Sequence, residues 1–324
     1  MRRSIAALTA VLATALVAVA CESGPTDAGA SASVQGQRAG PDVVQVAAGH
    51  HTFVTSHEEI GAGWTTFRFR NRSDAPHFMI IEKMPVWEGE QKTVEDSRSE
   101  VVPVFQNIMD SFRDEGPTFP EAGFELPAWY GEVTFVGGPG LTSPGETAET
   151  RTYLEPGTYV IECYVKTEDG TFHSTEGMIE GLVVNGASNA SGEPPRGRVD
   201  GRVTVSSTGG ITVESAPRRP GNRTLEVAFE DQTAYSHFLG HDVHLARLDE
   251  GADREALGAW MNWAVPGGLT DDVPEGVTFL GGVQDMPAGE SAYMTADLAP
   301  GRYALVAEVP DPADKGMMVE FTIP

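Results

Sequence analysis

Cysteine is almost missing from these 324 residues: there are two, Cys21 and Cys163. A pair so far apart cannot build the dense disulfide framework of small secreted domains, so a packed core has to carry the fold. Basic residues are scarce as well, 22 Lys and Arg against 47 Asp and Glu, for a net charge of −25. Such a field repels phosphate backbones and excludes nucleic acid as a partner. Beyond residue 20 no apolar run approaches the length of a membrane span, which excludes a multi-pass membrane protein. Also absent are G-x-S-x-G, His-Glu-x-x-His, a glycine-rich phosphate loop and an EF-hand pattern. What is plentiful is Gly (37) and Pro (22), without collagen's period, beside 40% hydrophobic residues. That composition fits a turn-rich β protein with enough apolar material for a core.

Arg2 and Arg3 lead into an apolar run from Ile5 to Ala20, which has the form of a secretory signal over residues 1–20. Its end, Ala18-Val19-Ala20-Cys21, resembles the lipobox of bacterial lipoproteins, with Ala18 where that family usually carries Leu. The resemblance implies that Cys21 becomes the lipidated first residue of an exported, membrane-anchored protein of the cell envelope. Cleavage after Ala20 without lipidation is the alternative, because Ala-x-Ala also suits the ordinary signal peptidase. Residues 21–40, rich in Gly, Ala and Ser, read as a flexible tether. If Cys21 is lipidated, Cys163 has no partner, and an unpaired thiol in an oxidising compartment requires burial or a metal.

The chain repeats itself. Val133 to Gly138 (VTFVGG) matches Val277 to Gly282 (VTFLGG), and Leu154 to Tyr159 (LEPGTY) matches Leu298 to Tyr303 (LAPGRY), both at an offset of 144. Upstream, His77 to Met84 (HFMIIEKM) resembles His241 to Leu248 (HDVHLARL). Two copies of one domain follow, at 41–185 and 202–324, joined by a polar Gly/Pro-rich linker at 186–201. Within them Phe67 and Phe69, Leu225, Val227 and Phe229, Tyr159, Ile161 and Cys163, and Tyr303, Leu305 and Ala307 alternate as strands do. Val101, Phe105, Ile108, Met109 and Phe112 have helical spacing in the first copy, and Leu257, Trp260, Met261 and Ala264 in the second. The expectation is an all-β protein: two tandem Greek-key β-sandwiches, each with a short helical insertion.

Gly157-Thr-Tyr159-Val-Ile-Glu-Cys163, then His173-Ser-Thr-Glu-Gly177-Met178, resembles the ligand loop of the cupredoxins, G-x-Y-x-x-x-C followed by His-x4-Met. Asn71 and Pro76-His77 resemble that family's upstream ligand segment. The resemblance implies one mononuclear type 1 copper in the first copy, with His77, Cys163 and His173 as trigonal ligands and Met178 as the weak axial one. It implies one-electron transfer with a redox partner protein. The donor types suit that role, since a thiolate with two imidazoles serves both copper oxidation states and a long thioether tunes the potential. Three departures stand out. Nine residues separate Cys163 from His173, where single-domain carriers usually have two to four. Phe78 follows His77 where related proteins often place Asn. The loop Lys166 to Gly170 is charged and reads as mobile. A cysteine on an apolar face is also what a buried structural residue looks like. A metal-free binding or structural module of the envelope, or a copper storage and delivery protein, are therefore the alternatives.

The copper enzymes of this superfamily place His beside the copper Cys, whereas Glu162 and Tyr164 flank Cys163, which favours a carrier over an enzyme. The second copy has Ala307 in place of the cysteine and Pro312 in place of the ligand histidine. His50, His51, His57, His237, His241 and His244 read as solvated, and Asp271-Asp272 as a solvated turn.

Overall fold

The computed structural model describes residues 43–115, 125–188, 199–235, 238 and 240–324. The signal segment, Cys21, the tether, linker residues 189–198 and His237 lie outside the described residues. The first copy runs β1 (Val43–Gly49), β2 (Thr52–Thr55), β3 (Glu59–Asn71), β4 (Ile80–Lys83) and a small hairpin, β5 (Val86–Trp87) with β6 (Glu90–Gln91). The helical insertion follows as α1 (Val94–Asp96), a π turn and α2 (Val102–Glu115), and β7 (Thr134–Phe135), β8 (Thr147–Leu154), β9 (Gly157–Glu162) and β10 (Ile179–Ser188) complete the copy. The second contains β11 (Gly201–Ser206), β12 (Gly210–Ser215), β13 (Gly221–Phe229), β14 (Val243–Leu248), α3 (Arg254–Trp260), β15 (Val277–Val283), β16 (Ser291–Leu298), β17 (Gly301–Val306) and β18 (Met318–Ile323).

Strand pairing repeats with the sequence. β1 pairs antiparallel with β2 and parallel with β3, and β3 pairs with β8; β11, β12, β13 and β16 do the same. The opposite sheets run β7-β4-β9-β10 and β15-β14-β17-β18. Each copy is thus a cupredoxin-like sandwich, all-β with a helical insertion between its fourth strand and the strand that follows the insertion.

Local chemistry explains the repeat. Phe67, Phe69, Leu225, Val227 and Phe229 all point inward and are buried. The Pro-Gly turns start β9 and β17, and two residues later Tyr159 and Tyr303 donate their hydroxyls to the carbonyls of Glu155 (2.8 Å) and Ala299 (2.7 Å). This is the same tyrosine corner made twice. Gly138 and Gly282 have φ of 122° and 151°, and a Cβ on either would overlap a main-chain carbonyl oxygen, of Met79 or Val243. No other residue fits there, so the glycine pair survives in both copies. The helix of the second copy is shorter than its apolar spacing suggested. It ends at Trp260, and Met261 and Ala264 follow it as buried turn residues ahead of Pro266-Gly267-Gly268.

The two copies meet as an isologous pair. Thr150 of β8 lies opposite Met294 of β16, and Pro139 opposite Val283, each residue facing its own repeat equivalent. The β8–β16 seam joins the inner sheets into one, and Trp64 packs across it against Tyr153 (5.8 Å) and Tyr293 (5.5 Å). One hydrophobic cluster contains Phe112 and Met109 from the first copy together with Trp263 and Leu257 from the second.

Candidate metal centre

Three segments bring side chains together at one end of the first sandwich. His77 follows the loop after β3, which Asn71 holds shut: its amide donates to the carbonyls of Ala75 (2.7 Å) and Thr142 (2.8 Å). Thr142 in turn exchanges main-chain hydrogen bonds with His77. Cys163 closes β9, and its N–H donates to the Met178 carbonyl (3.1 Å), while the Met178 N–H donates to the His173 carbonyl (2.8 Å). The loop between them folds back on its own stem, with the His173 N–H on the Val165 carbonyl.

The result is a triangle of donor atoms. His77 Nδ1 lies 3.7 Å from Cys163 Sγ, His173 Nδ1 lies 3.8 Å from it, and the two Nδ1 atoms are 3.1 Å apart. All three residues and Met178 are fully buried. With zinc's bond lengths, about 2.0–2.1 Å to nitrogen and 2.3 Å to sulfur, a trigonal ion would hold nitrogen and sulfur about 3.8 Å apart. Both nitrogen–sulfur edges fit a first-row metal, while the nitrogen–nitrogen edge of 3.1 Å is shorter than the ~3.5 Å those bond lengths give. Burial drives the His77 pKa down to about 2, with His173 adding to the effect, so this imidazole keeps its lone pair. Burial pushes the Cys163 thiol up to about 12, against main-chain hydrogen bonds from Phe78 and Val165 that favour the thiolate. Those two N–H groups favour the thiolate without any contribution from the side chain that follows His77. An uncompensated thiolate is costly here, and a bound cation would supply the compensation.

The structure corrects the expectation of a mobile ligand loop. Lys166 is fully buried, and its Nζ donates to the carbonyls of Trp263 (2.6 Å) and Val265 (2.8 Å) in the second copy. Gln106 of α2 accepts from the Phe172 N–H (2.9 Å) and the Thr175 hydroxyl (3.0 Å). The helical insertion and the second copy thus clamp the loop from two sides, contacts that no local pattern announces.

Asp271 also departs from the solvated turn expected of it. Its carboxylate lies 2.9 Å from His173 Nε2, so that nitrogen carries the proton and Nδ1 presents its lone pair to the triangle. Asp272 is exposed, as expected of a turn. His51 is not solvated either: its ring lies 4.4 Å from that of His173, and the exposed His50 stacks on it at 4.1 Å. His57 is exposed. His241 and His244 are fully buried, contrary to the solvated reading. His241 is the repeat equivalent of His77, and its Nε2 lies 3.0 Å from the Tyr235 hydroxyl. In the second copy the Ala307 N–H donates to Met317, and Met317 to Pro312, reproducing the Cys163–Met178–His173 backbone ladder without its donor side chains.

No protein-family model matches the sequence, and no curated protein matches it. Among solved structures, a reduced auracyanin from Roseiflexus castenholzii is similar to 45% of this chain and 98% of its own, at 21% identity and a TM-score of 0.24. Auracyanin A of Chloroflexus aurantiacus, titled a "blue" copper protein, covers 44% and 98%, at 24% identity and a TM-score of 0.25. A multicopper oxidase covers 87% and 88%, at 11% identity and a TM-score of 0.23. Overlaps of that quality assign no ligand, and the fold rests on the repeated strand order above.

Proposed function

We propose that the protein is a copper-binding electron-transfer protein with one mononuclear type 1 copper in its first copy, held by His77, Cys163 and His173 with Met178 as the axial thioether. The observation that carries this reading is the buried Nδ1–Sγ–Nδ1 triangle with edges of 3.1–3.8 Å. Copper in such a set supplies a one-electron couple. The chain's own part is to hold the donors still in both oxidation states: Asn71 fixes the His77 loop, Gln106 and Lys166 fix the His173 loop, and Asp271 fixes the His173 tautomer. His51 and Asp271 also cover the edge of His173 and keep water out.

Complete burial of His77, Cys163 and His173 favours electron transfer over copper storage or delivery, because handing over the ion would require the clamp to open. The stacked rings of His51 and His50 lead from the buried His173 to the surface, and we place the contact with a redox partner there. Export, lipidation at Cys21 and anchoring to an envelope membrane belong to the same proposal and rest on the N-terminal pattern. Among the described residues no helix is long and apolar enough to cross a membrane.

Titration of the purified protein with Cu(II), read by visible and EPR spectra beside Cys163→Ala, tests the reading. A one-to-one complex absorbing at about 600 nm and lost in the variant is expected. A colourless protein whose copper binding ignores the substitution would leave a metal-free sandwich.

A further inference from the structure

Behind the copper triangle, where the two copies meet, lies a cavity of about 70 Å³. Its walls carry five carboxylates: Glu82 and Glu162 from the first copy, and Asp242, Asp285 and Glu308 from the second. Tyr164 lines it as well. Among the described residues, none of the five forms an ion pair with Lys or Arg. Lys166, whose charge interacts with Glu308, donates to main-chain carbonyls instead.

The repeat shows that the sandwich does not need these acids. The counterparts of Asp242, Asp285 and Glu308 in the first copy are Phe78, Leu141 and Tyr164, and those of Glu82 and Glu162 in the second are Ala246 and Val306. Acid stands opposite a non-acidic equivalent at all five positions, and all five face one cavity.

Two observations point to a ligand. Glu308 is 2% exposed; its Oε2 accepts the Tyr164 hydroxyl at 3.1 Å and the Trp263 main chain favours its charged form, while its Oε1 has no hydrogen-bond partner among the described residues. The carboxylates of Asp242 and Glu308 also lie within 4.8 Å of each other, which a single ion can bridge. His244 belongs to the same group of atoms but is spent. Its Nδ1 accepts the Leu141 N–H (2.9 Å), so Nε2 is protonated and donates to Asp242 (2.5 Å). Oxygen donors alone remain.

We propose that this cavity is a binding site for one hard divalent cation of the calcium or manganese type, ligated by Asp242, Asp285 and Glu308. Burial together with the neighbouring Asp242 raises the pKa of both Asp285 and Glu308 well above the carboxylate range, the direction expected where like charges share a site without their cation. The inference does not depend on copper. A soft thiolate–imidazole triangle and a hard all-oxygen cavity select different ions.

Metal-stripped full-length protein titrated with Mn(II), followed by loss of the free-ion EPR signal, tests it. One tight site per chain is expected, displaced by Ca(II), weakened at least tenfold in Glu308→Gln and again in Asp285→Asn, with the copper-dependent absorption unchanged in both. Glu308→Gln keeps an acceptor for Tyr164, and Asp285→Asn is the second variant should the first fail to fold. Only weak, multiple binding, as the acidic surface alone would give, overturns the proposal. So does a tight site of equal affinity in wild type and in both folded variants.

Discussion

At the level of single residues, the centre depends on a group that its own domain does not supply. Asp271 comes from the second copy and orients His173 through Nε2. Asp271→Asn keeps the shape but removes the charge that fixes the proton on that nitrogen. Copper affinity is expected to fall about 10–100-fold in a competition titration, with the fold intact, as such outer partners typically cost. Lys166 offers a second test. Burial lowers its pKa from 10.5 to about 7. The unfolded chain therefore still binds a proton between pH 7 and 10 that the folded chain has released, so stability rises across that window. In Lys166→Met this rise is absent, and denaturant unfolding at pH 7 and at pH 10 reads the difference. That His77, Cys163 and His173 come together was legible because each sits at a fixed distance from a strand end. The parts played by Asp271, Lys166 and His51 were not, since each matters only through a partner about 100 residues away or on another loop.

Elements were legible wherever one face is buried and the other wet. Phe67 and Phe69, or Leu225, Val227 and Phe229, alternate because their strands have one dry side. β9 hides more, since Val160 on its other face is buried beneath the helical insertion, against Trp129 and Val101. The end of α3 is not legible in the sequence because Met261 and Ala264 are apolar for tertiary reasons: they pack in the core from a turn, and burial imitates helical spacing. The glycine pairs carry the sharpest prediction at this scale. Gly138→Ala places a methyl group on the Met79 carbonyl at a φ of 122° and is expected to cost about 2–4 kcal/mol in denaturant unfolding. Gly145→Ala, at a φ of 81° with nothing within 4 Å of its Cβ, should cost only about 1 kcal/mol. Equal losses at both sites would mean that backbone conformation alone, and not the close approach of β4, keeps the repeated glycines.

For the whole molecule, duplication has been turned into division of labour. The pseudo-two-fold contact gives both copies the same interface, yet the first keeps the thiol and both imidazoles while the second keeps only His241 and Met317. The second copy is then free to serve the first, through Asp271 on His173, the Trp263 and Val265 carbonyls on Lys166, and three of the five carboxylates of the acidic cavity. The hydrophobic cluster that runs through Phe112, Met109, Trp263 and Leu257 has no seam at which one copy could leave dry. Removing the second copy would expose that surface and leave the buried Lys166 ammonium without its two carbonyl acceptors. Calorimetry of the intact protein is therefore expected to show one cooperative transition for both sandwiches, where tandem domains that only touch would show two. Copper should raise the temperature of that single transition as a whole, because an ion bound only by the native state stabilises every element that unfolds with it. Two resolved transitions, with copper moving only one, would mean that the second sandwich packs beside the first without holding it together.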